Sequence, residues 1–439
     1  MQEWLKITLF LCLFGTLREI RPSEPFVTEF LLGEWRNITD QQLSREVYPV
    51  GTYSYFSLLV VVFLVTDFLR FKPVIILSGL SGIAVYAVLL WTTSIEWLQV
   101  SQFLYGLYMA TEVAYLTYIY AKVPSAKYPL VSSYTRVAAL VGRFLSGISS
   151  QLLTHFGIMD YRDLNYITFA AQILATFWAL WLPAVPYGIY FHRRSVVSEL
   201  QLDTQSPGKQ ANVDKKTMVF QRPLHRDALD AGSLIARHAR AAYGRPRVVT
   251  WSLLYAAALA LFVQVQTYMQ VLWVEIMRET GSQLAFNGFV EAGLTLLGAG
   301  AALGAGAALG AACVRPAPLP APAAAVQALA VFAATYAQNI YVSYVGYIVM
   351  GTLFHYTITL ASAKIASELS DESCFGLIFG INTLAGTGMQ ALLTFILLQQ
   401  LELSISAMYF TISGLYLILA ACWLTGCMIN YFRQKHTAL

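Results

Sequence analysis

The chain has 439 residues, of which 57% are hydrophobic and only 12% are charged, and its formal net charge is +4. Soluble domains carry about 25% charged residues, so this composition argues against several globular domains and indicates a polytopic membrane protein. No basic patch with interleaved aromatic residues points to nucleic acid. The five cysteines and six histidines lack metal or disulfide spacing, and we find no nucleophile elbow, phosphate loop or dinucleotide motif. We therefore expect neither an enzyme nor a cofactor or metal site.

Apolar stretches long enough to cross a bilayer recur along the chain. The boundary inside 321–364 is the least defined, because only Gln338 and Asn339 separate two stretches. We predict an all-α membrane protein of about twelve transmembrane helices, in an N-terminal six-helix half (1–190), a linker (191–247) and a C-terminal six-helix half (248–439). The stretches lie near 4–22, 50–67, 73–93, 97–121, 129–156, 164–190, 248–273, 285–313, 321–339, 341–364, 375–398 and 404–431.

Six plus six helices around a long linker is the plan of the major facilitator superfamily, in which substrate binds near the midplane between the halves. Loops at Arg70 and Lys122, the linker and the end of the chain carry most of the basic residues. Because cytosolic loops are enriched in Lys and Arg, we predict that both termini and the linker are cytosolic. Asn37-Ile-Thr39, an N-glycosylation acceptor in the first opposite loop, agrees with this orientation. Residues 226–243 of the linker are either a short amphipathic helix on the inner membrane face or an unstructured tether.

Glu112 lies in the middle of the predicted fourth helix, where a carboxylate costs roughly 2.5–3.5 kcal/mol on insertion scales. Arg143 lies near the middle of the next helix. We expect both side chains to face the central cavity and to pair. The pair either fixes helix packing permanently or opens to meet a charged substrate or a proton. Tyr105, Tyr108 and Tyr115 lie within a turn or two of Glu112, and such rings can hold a flat cation.

Several short motifs occur in a fixed order along the predicted membrane region. They are Arg21-Pro-Ser-Glu-Pro-Phe26, Tyr48-Pro-Val, Tyr53-Ser-Tyr55, Thr66-Asp-Phe-Leu-Arg-Phe-Lys-Pro73, Thr111-Glu-Val-Ala-Tyr115, Tyr118-Ile-Tyr120, Asn287-Gly288, Val290-Glu-Ala292 and Phe379-Gly-Ile-Asn-Thr383. In this order they resemble the reduced folate and thiamine carrier family (solute carrier family 19) of the major facilitator superfamily. The resemblance implies that superfamily's fold, a small-molecule vitamin as the partner, and uptake at the plasma membrane. We expect a monomer in the lipid bilayer.

Charge separates the branches of this family. The folate branch has a basic residue at the positions of Glu112, Gly351 and Gln390, and the loss of these cations argues against a folate, which is an anion. Thr111-Glu-Val-Ala-Tyr115 and Gln390 look like the thiamine branch, whose substrate is a cation. The chain departs from that branch at Gly51, where the branch has a tryptophan, and at Gly351, where it usually keeps a base. It also departs at two positions that are described next.

The resemblance also implies a set of functional residues. Gln102 replaces a pocket glutamate of the thiamine branch, and Arg143 replaces a pocket tyrosine. In the superfamily an acid and a base after the second helix hold the cytosolic gate, which corresponds here to Asp67 and Arg70. The implied substrate contacts are Glu24, Tyr48, Gln102, Tyr105, Glu112, Arg143, Asn287 and Glu291.

We therefore predict thiamine uptake by alternating access as the leading function. An anionic vitamin that uses Arg143, such as a folate or a phosphorylated thiamine, is the second candidate. A non-transporting receptor that keeps the carrier fold is the third.

Overall fold

Helices make up all the regular structure of the described residues, which confirms the predicted all-α class. The structure is a computed structural model. It describes residues 3–36, 38–69, 71–123, 127–183, 185, 224–281, 285–311, 319–369 and 375–437.

The first part of the chain forms the N-terminal group of helices. A 3-10 turn at Glu24–Phe26 precedes α2, and a π-helical turn at Leu43–Val47 joins α3 to α4. The helices are α1 (Glu3–Glu19), α2 (Val27–Leu32), α3 (Asp40–Gln42), α4 (Tyr48–Phe68), α5 (Lys72–Trp91), α6 (Ile95–Ala110), α7 (Glu112–Lys122), α8 (Tyr128–His155) and α9 (Leu164–Leu180).

The rest of the chain contains one linker helix, α10 (Leu224–Tyr243), and the C-terminal group, α11 to α16. A π-helical turn, Phe395–Gln400, extends α15. The helices of this group are α11 (Pro246–Thr280), α12 (Asn287–Ala311), α13 (Pro320–Tyr336), α14 (Ile340–Glu368), α15 (Phe375–Thr394) and α16 (Ile405–Thr437). The division into two halves and a linker stays a prediction.

Local sequence explains where many of these helices begin. Proline stands in the first turn of α4, α5, α8, α11 and α13, where its missing N–H has no partner to lose. The Asn339 side chain accepts from the backbone N–H groups of Tyr341 and Val342 and so caps α14. The preceding Gln338 has a φ of 45°, which turns the chain between α13 and α14. The two stretches within 321–364 are therefore separate helices, as predicted.

Eight helices within the described ranges are long and apolar enough to cross a membrane, and α9 and α13 are shorter apolar helices. The predicted total of twelve spans stays a prediction. The predicted first span ends sooner than expected, because α1 stops at Glu19 and the chain continues irregularly. The predicted fourth span is two helices, since the backbone breaks at Thr111. The Thr111 hydroxyl donates to the carbonyls of Leu107 and Tyr108, a bond that bends helices.

The two groups of helices meet along two seams, α8 against α12 and α4 against α15. We call the end of the molecule that holds the turns after α2, α11 and α15 the distal face, and the end that holds α10 the terminal face. On the distal side Gly147 of α8 and Gly288 of α12 bring their backbones together. A Cβ added to Gly288 would lie 2.5 Å from the Gly147 carbonyl oxygen. Only glycine permits this approach.

Polar contacts join the two groups at the distal face. Arg278 of α11 forms an ion pair of 2.6 Å with Asp40. Arg45 forms one of 2.9 Å with Glu402, before α16. Gln151 of α8 donates to the carbonyl of Ala285 and accepts from the Gly288 N–H. The distal ends of the two groups are therefore held together in this conformation.

Candidate functional site

The end of α1 is the centre of a charged site inside the helix bundle. Arg18 and Glu19 close the helix, and Arg21 and Glu24 follow it within one turn. The Arg18 side chain donates to the carbonyl of Tyr108 on α6, so the end of α1 lies at mid-height of the neighbouring helices. With Glu112 and Arg143 these four residues form what we call the central charge cluster.

Glu19 is the hub of the central charge cluster. Its side chain is 2% exposed and contacts three arginines, of which Arg18, at 3.1 Å, is its neighbour in the chain. Arg21 approaches the second carboxylate oxygen to 2.7 Å, and Arg143 Nε approaches the same oxygen to 2.6 Å. A buried charge of this kind is tolerated only when it is paired and fully hydrogen-bonded. Glu19 therefore fixes the positions of the arginines around it.

Glu112 begins α7 immediately after the break at Thr111. A carboxylate is favoured at this position by the partial positive charge of a helix N-terminus. Its Oε2 lies 3.5 Å from Arg18 Nη1, and the side chain remains 29% exposed. The direct pairing of Glu112 with Arg143 that we expected is therefore wrong. Glu19 lies closer to Arg143, and among the described residues a chain of ion pairs through Arg18 and Glu19 joins the two predicted residues.

Arg143 lies at the boundary between the two groups of helices. Its Nε is bonded to Glu19, but the side chain is 42% exposed and its two terminal nitrogens donate to no other described residue. Glu291 of α12 lies across the boundary and interacts electrostatically with both Arg143 and Glu24. One carboxylate oxygen of Glu291 accepts from the Tyr347 hydroxyl at 2.9 Å. The predicted residues of α8 and α12 thus face one another.

Glu24 and Tyr105 are also brought together. Glu24 pairs with Arg21 and accepts from the Tyr105 hydroxyl at 3.3 Å, and it stays 34% exposed. The Tyr105 ring stacks on that of Tyr108 at 6.2 Å between centroids. Tyr108 in turn lies under the Arg18 guanidinium, 4.4 Å from the ring centroid. The aromatic rings therefore form a wall beside the exposed carboxylates.

Gln102 and Tyr48 occupy the distal side of the same region. A Cβ added to Gly51 on α4 would lie 2.7 Å from Gln102 Oε1, so the amide fills the space that a larger residue at position 51 would need. Tyr48 is buried, and its hydroxyl lies 2.7 Å from that of Thr28. Tyr48 therefore supports α2 in this conformation.

Asn287 is fully buried and bonded on every side. Its Nδ2 donates to the Pro25 carbonyl at 3.0 Å and to Glu29 Oε1 at 2.5 Å. Its Oδ1 accepts from the Tyr344 hydroxyl at 2.9 Å. Asn287 thus joins α2 of the N-terminal group to α12 and α14 of the C-terminal group at the distal face.

Three predicted residues are outside what the structure describes. Asn37, the glycosylation acceptor, and Arg70, the base of the predicted gate, lie outside the described residues. Asp67 is in the last turn of α4, and the position of its side chain is also outside the description. The glycosylation site and the gate stay predictions.

Sequence reasoning missed Arg18, Glu19 and Glu29. The apolar run predicts a first span that ends near residue 22, where charged residues are expected at a membrane boundary. In fact α1 ends inside the bundle and the chain forms a 3-10 turn and α2 before it reaches the distal face. Four charged residues between positions 18 and 24, directly after an apolar run, were the available signal.

Comparison with known proteins identifies the family. A family model described as "Reduced folate carrier" matches residues 2–411. The chain is 32% identical to thiamine transporter 2 of Macaca fascicularis over 99% of its own length and 92% of that protein. It is also 32% identical to the human reduced folate transporter, over 99% of the chain and 74% of the relative. Folate-like transporter 3 of Caenorhabditis elegans is 32% identical, over 96% of the chain and 95% of the relative.

Solved structures show the same fold at low identity. The transporter PepTSo of the POT family superposes with a TM-score of 0.66 at 13% identity, and the match covers 99% of both chains. The inward-open xylose transporter XylE from E. coli gives a TM-score of 0.62 at 12% identity over 96% of this chain and 95% of XylE. These neighbours confirm the predicted major facilitator fold. The family model and the relatives together show that the chain belongs to the reduced folate carrier family and is a membrane transporter rather than an enzyme.

Proposed function

We propose that this protein imports thiamine across the plasma membrane by alternating access, with both termini in the cytosol. Relatives named as thiamine transporters and relatives named as folate transporters match the chain at nearly the same identity. Family membership therefore supports a vitamin as the substrate without separating the two. The choice between a cation and an anion rests on the charges of the site.

The observation that carries the proposal is the unequal number of acids and bases at the site. The central charge cluster holds three arginines and three glutamates, and it is neutral when all are ionised. Glu291 adds a carboxylate that accepts from Tyr347 but forms no ion pair with a described residue. Glu24 and Glu112 keep about a third of their side-chain surface exposed. When Glu291 is ionised, a monovalent cation neutralises the excess negative charge, whereas a divalent anion increases the repulsion.

The aromatic wall gives a second reason for a flat cation. Tyr105 is partly exposed beside Glu24, and its ring is held by stacking on the buried Tyr108. A cation over such a ring gains about 0.5–2 kcal/mol, depending on its desolvation. An aromatic cation such as the thiazolium of thiamine can use both the ring faces and the neighbouring carboxylates.

The closed distal face supports the alternating-access part of the proposal. The Arg278–Asp40 ion pair and the buried Asn287 contacts close that end, so substrate released from this conformation leaves toward the terminal face. If the terminal face is cytosolic, as the distribution of Lys and Arg predicts, this conformation delivers substrate into the cell.

Uptake of radiolabelled thiamine in cells that lack their own carriers tests the proposal. We expect saturable uptake that excess unlabelled thiamine inhibits. Glu112→Gln should lower kcat/KM for thiamine at least tenfold at normal surface expression, because it removes about 1.4 kcal/mol or more of attraction for the cation. The matched control is Glu279→Gln, since Glu279 is exposed at the distal end of α11 and should be neutral. Thiamine uptake that is absent, or unchanged in Glu112→Gln, refutes the proposal.

Arg143 favours a second candidate, an anionic vitamin such as a folate or phosphorylated thiamine. Two of its guanidinium nitrogens are available, and arginine binds carboxylate or phosphate with two parallel bonds. Uptake of folate or thiamine monophosphate that Arg143→Gln abolishes, without thiamine uptake, would establish this candidate. Saturable binding without any uptake would instead indicate a receptor that keeps the carrier fold.

A further inference from the structure

The segment that connects the linker to the C-terminal group is strongly basic. Residues 232–247 contain four arginines and no acidic residue. All four arginine side chains are exposed, and we call them the arginine surface: Arg237, Arg240, Arg245 and Arg247. Residues 224–243 form the helix α10, so this part of the linker is helical, and its place on the inner membrane face stays a prediction.

In the described part of α10, residues 232–243, one side packs against the bundle and the other is exposed. Leu234 and Ile235 are half-buried, and Ala242 is buried in a small apolar cluster with the start of α11. The Tyr243 hydroxyl donates to Asn382 Oδ1 of α15 at 2.8 Å, which fixes the end of α10 to the terminal face. The arginine surface is therefore held in place by the fold and is not part of a loose tether.

Among the described side chains, one acid, Glu368, contacts the arginine surface. Arg247 lies 3.3 Å from a Glu368 carboxylate oxygen, and Arg245 donates to the carbonyl of the same residue. Arg237 and Arg240 donate to no other described side chain or backbone group. Arg237 and Arg240 therefore contact no acid among the described side chains, and these two guanidinium groups carry the positive charge of the surface.

Aromatic residues indicate the depth of this surface in a membrane. Trp251 lies one turn after Arg247 on α11, and its ring packs against that of Trp423 on α16 at 4.8 Å between centroids. Tryptophan is enriched where a membrane helix crosses from hydrocarbon to the headgroup layer. The arginine surface lies just outside this aromatic pair, and the tryptophan preference therefore predicts that the arginines are level with the lipid phosphates.

We propose that the arginine surface binds the headgroups of anionic phospholipids in the leaflet next to the terminal face, and so fixes α10 to the membrane. Guanidinium groups bind phosphate with paired hydrogen bonds, and they are weakly hydrated compared with lysine ammonium groups. A leaflet with negative surface potential attracts basic segments of this kind. The bound headgroup and the Tyr243–Asn382 bond together link the membrane surface to α15, one of the helices at the seam between the two groups.

The test uses the full-length protein in nanodiscs of phosphatidylcholine that contain a small fraction of spin-labelled phosphatidylserine or spin-labelled phosphatidylcholine. The fraction of motionally restricted label gives the preference of the protein for each lipid. We expect phosphatidylserine to be preferred. Arg237→Gln combined with Arg240→Gln should weaken that preference roughly 30-fold for the lipids at this surface. Each basic residue contributes separately to the attraction for an anionic headgroup, so the losses from the two substitutions multiply.

The charge-retaining pair Arg237→Lys and Arg240→Lys is the matched control, and it should keep most of the preference. Inorganic phosphate at 10-fold excess over lipid should not displace phosphatidylserine, because the acyl chains hold its headgroup at the membrane surface. This arm separates a lipid headgroup from a free anion. Equal association of the two spin-labelled lipids with the unchanged protein overturns the proposal. An unchanged preference in the glutamine pair overturns it as well, and displacement by phosphate assigns the surface to a soluble anion instead.

Discussion

The contact of Gly288 with Gly147 allows a direct test of how the distal face closes. Replacing Gly288 with alanine places a Cβ 2.5 Å from the Gly147 carbonyl oxygen and 2.7 Å from Ser150 Oγ. Ordinary van der Waals contact begins at 3.4 Å, so the backbone contact is short by about 0.9 Å. The backbone oxygen cannot rotate away, and the two helices must separate.

The cost falls on the conformation in which the distal face is closed. Overpacking by one methyl group typically costs about 1–3 kcal/mol. A conformation with the distal ends apart has no such clash. The ratio of open to closed molecules should therefore rise roughly 5- to 150-fold. Thiamine uptake should slow, because alternating access requires the closed conformation in each cycle.

Labelling from the distal side measures this ratio. Met277 lines a cavity of about 320 Å³ at the distal face, together with Glu29 and Arg278. In a background without native cysteines, Met277→Cys should react faster with a membrane-impermeant thiol reagent when Gly288→Ala is also present. The control is Gly293→Ala on the same helix, where the nearest atom to the new Cβ would be an Ile348 methyl group at 3.6 Å.

Two results would refute this reasoning. One is an unchanged labelling rate in Gly288→Ala at normal surface expression. The other is an equal increase in Gly293→Ala, which would mean that any added methyl group on α12 disturbs the fold.

Other predictions concern the charged site and the distal ion pair. Glu19→Gln leaves three arginines without their shared partner, so we expect the free energy of unfolding to fall by about 3–5 kcal/mol. Thermal unfolding in detergent measures this loss, which should be smaller for Glu24→Gln because Glu24 is more exposed. Gly51→Trp should strongly reduce expression or uptake unless Gln102→Ala is added. Simple additivity of the two changes in a double-mutant cycle would contradict the contact between position 51 and the Gln102 side chain. Asp40→Asn at the exposed Arg278 pair should cost less than about 1 kcal/mol, and a larger cost that persists at high salt would contradict it.

The helices were predictable where composition alone decides them. The predicted span 129–156 corresponds to α8, Tyr128–His155. The short turn at Gln338 and Asn339 was also predicted correctly. Long apolar runs must form helices in a bilayer, because every backbone group needs an internal partner. The break at Thr111 was not predicted. Its cause is the hydrogen bond from the Thr111 hydroxyl to the carbonyls of the preceding turn, and the pattern of apolar residues does not depend on that bond.

The sequence predicted which residues lie near the site better than it predicted which of them contact one another. Glu112 and Arg143 were expected near the centre from their depth in the apolar runs, and they lie there. Their partners were not predictable. Arg18 and Glu19 lie on α1, far away in the sequence, and only the tertiary packing brings them to Glu112 and Arg143. The substrate roles of the predicted residues stay predictions.

The ion pairs of the central charge cluster join only residues of the N-terminal group, from α1, the turn after it, α7 and α8. When the two groups rock, these charges travel together, so little protein charge is displaced along the membrane normal. The membrane voltage then acts mainly on the cargo. A monovalent cation carried without a counter-ion would gain about 2.3 kcal/mol per 100 mV on entering a negative cell interior. Depolarisation should consequently slow the uptake of a cation and favour that of an anion.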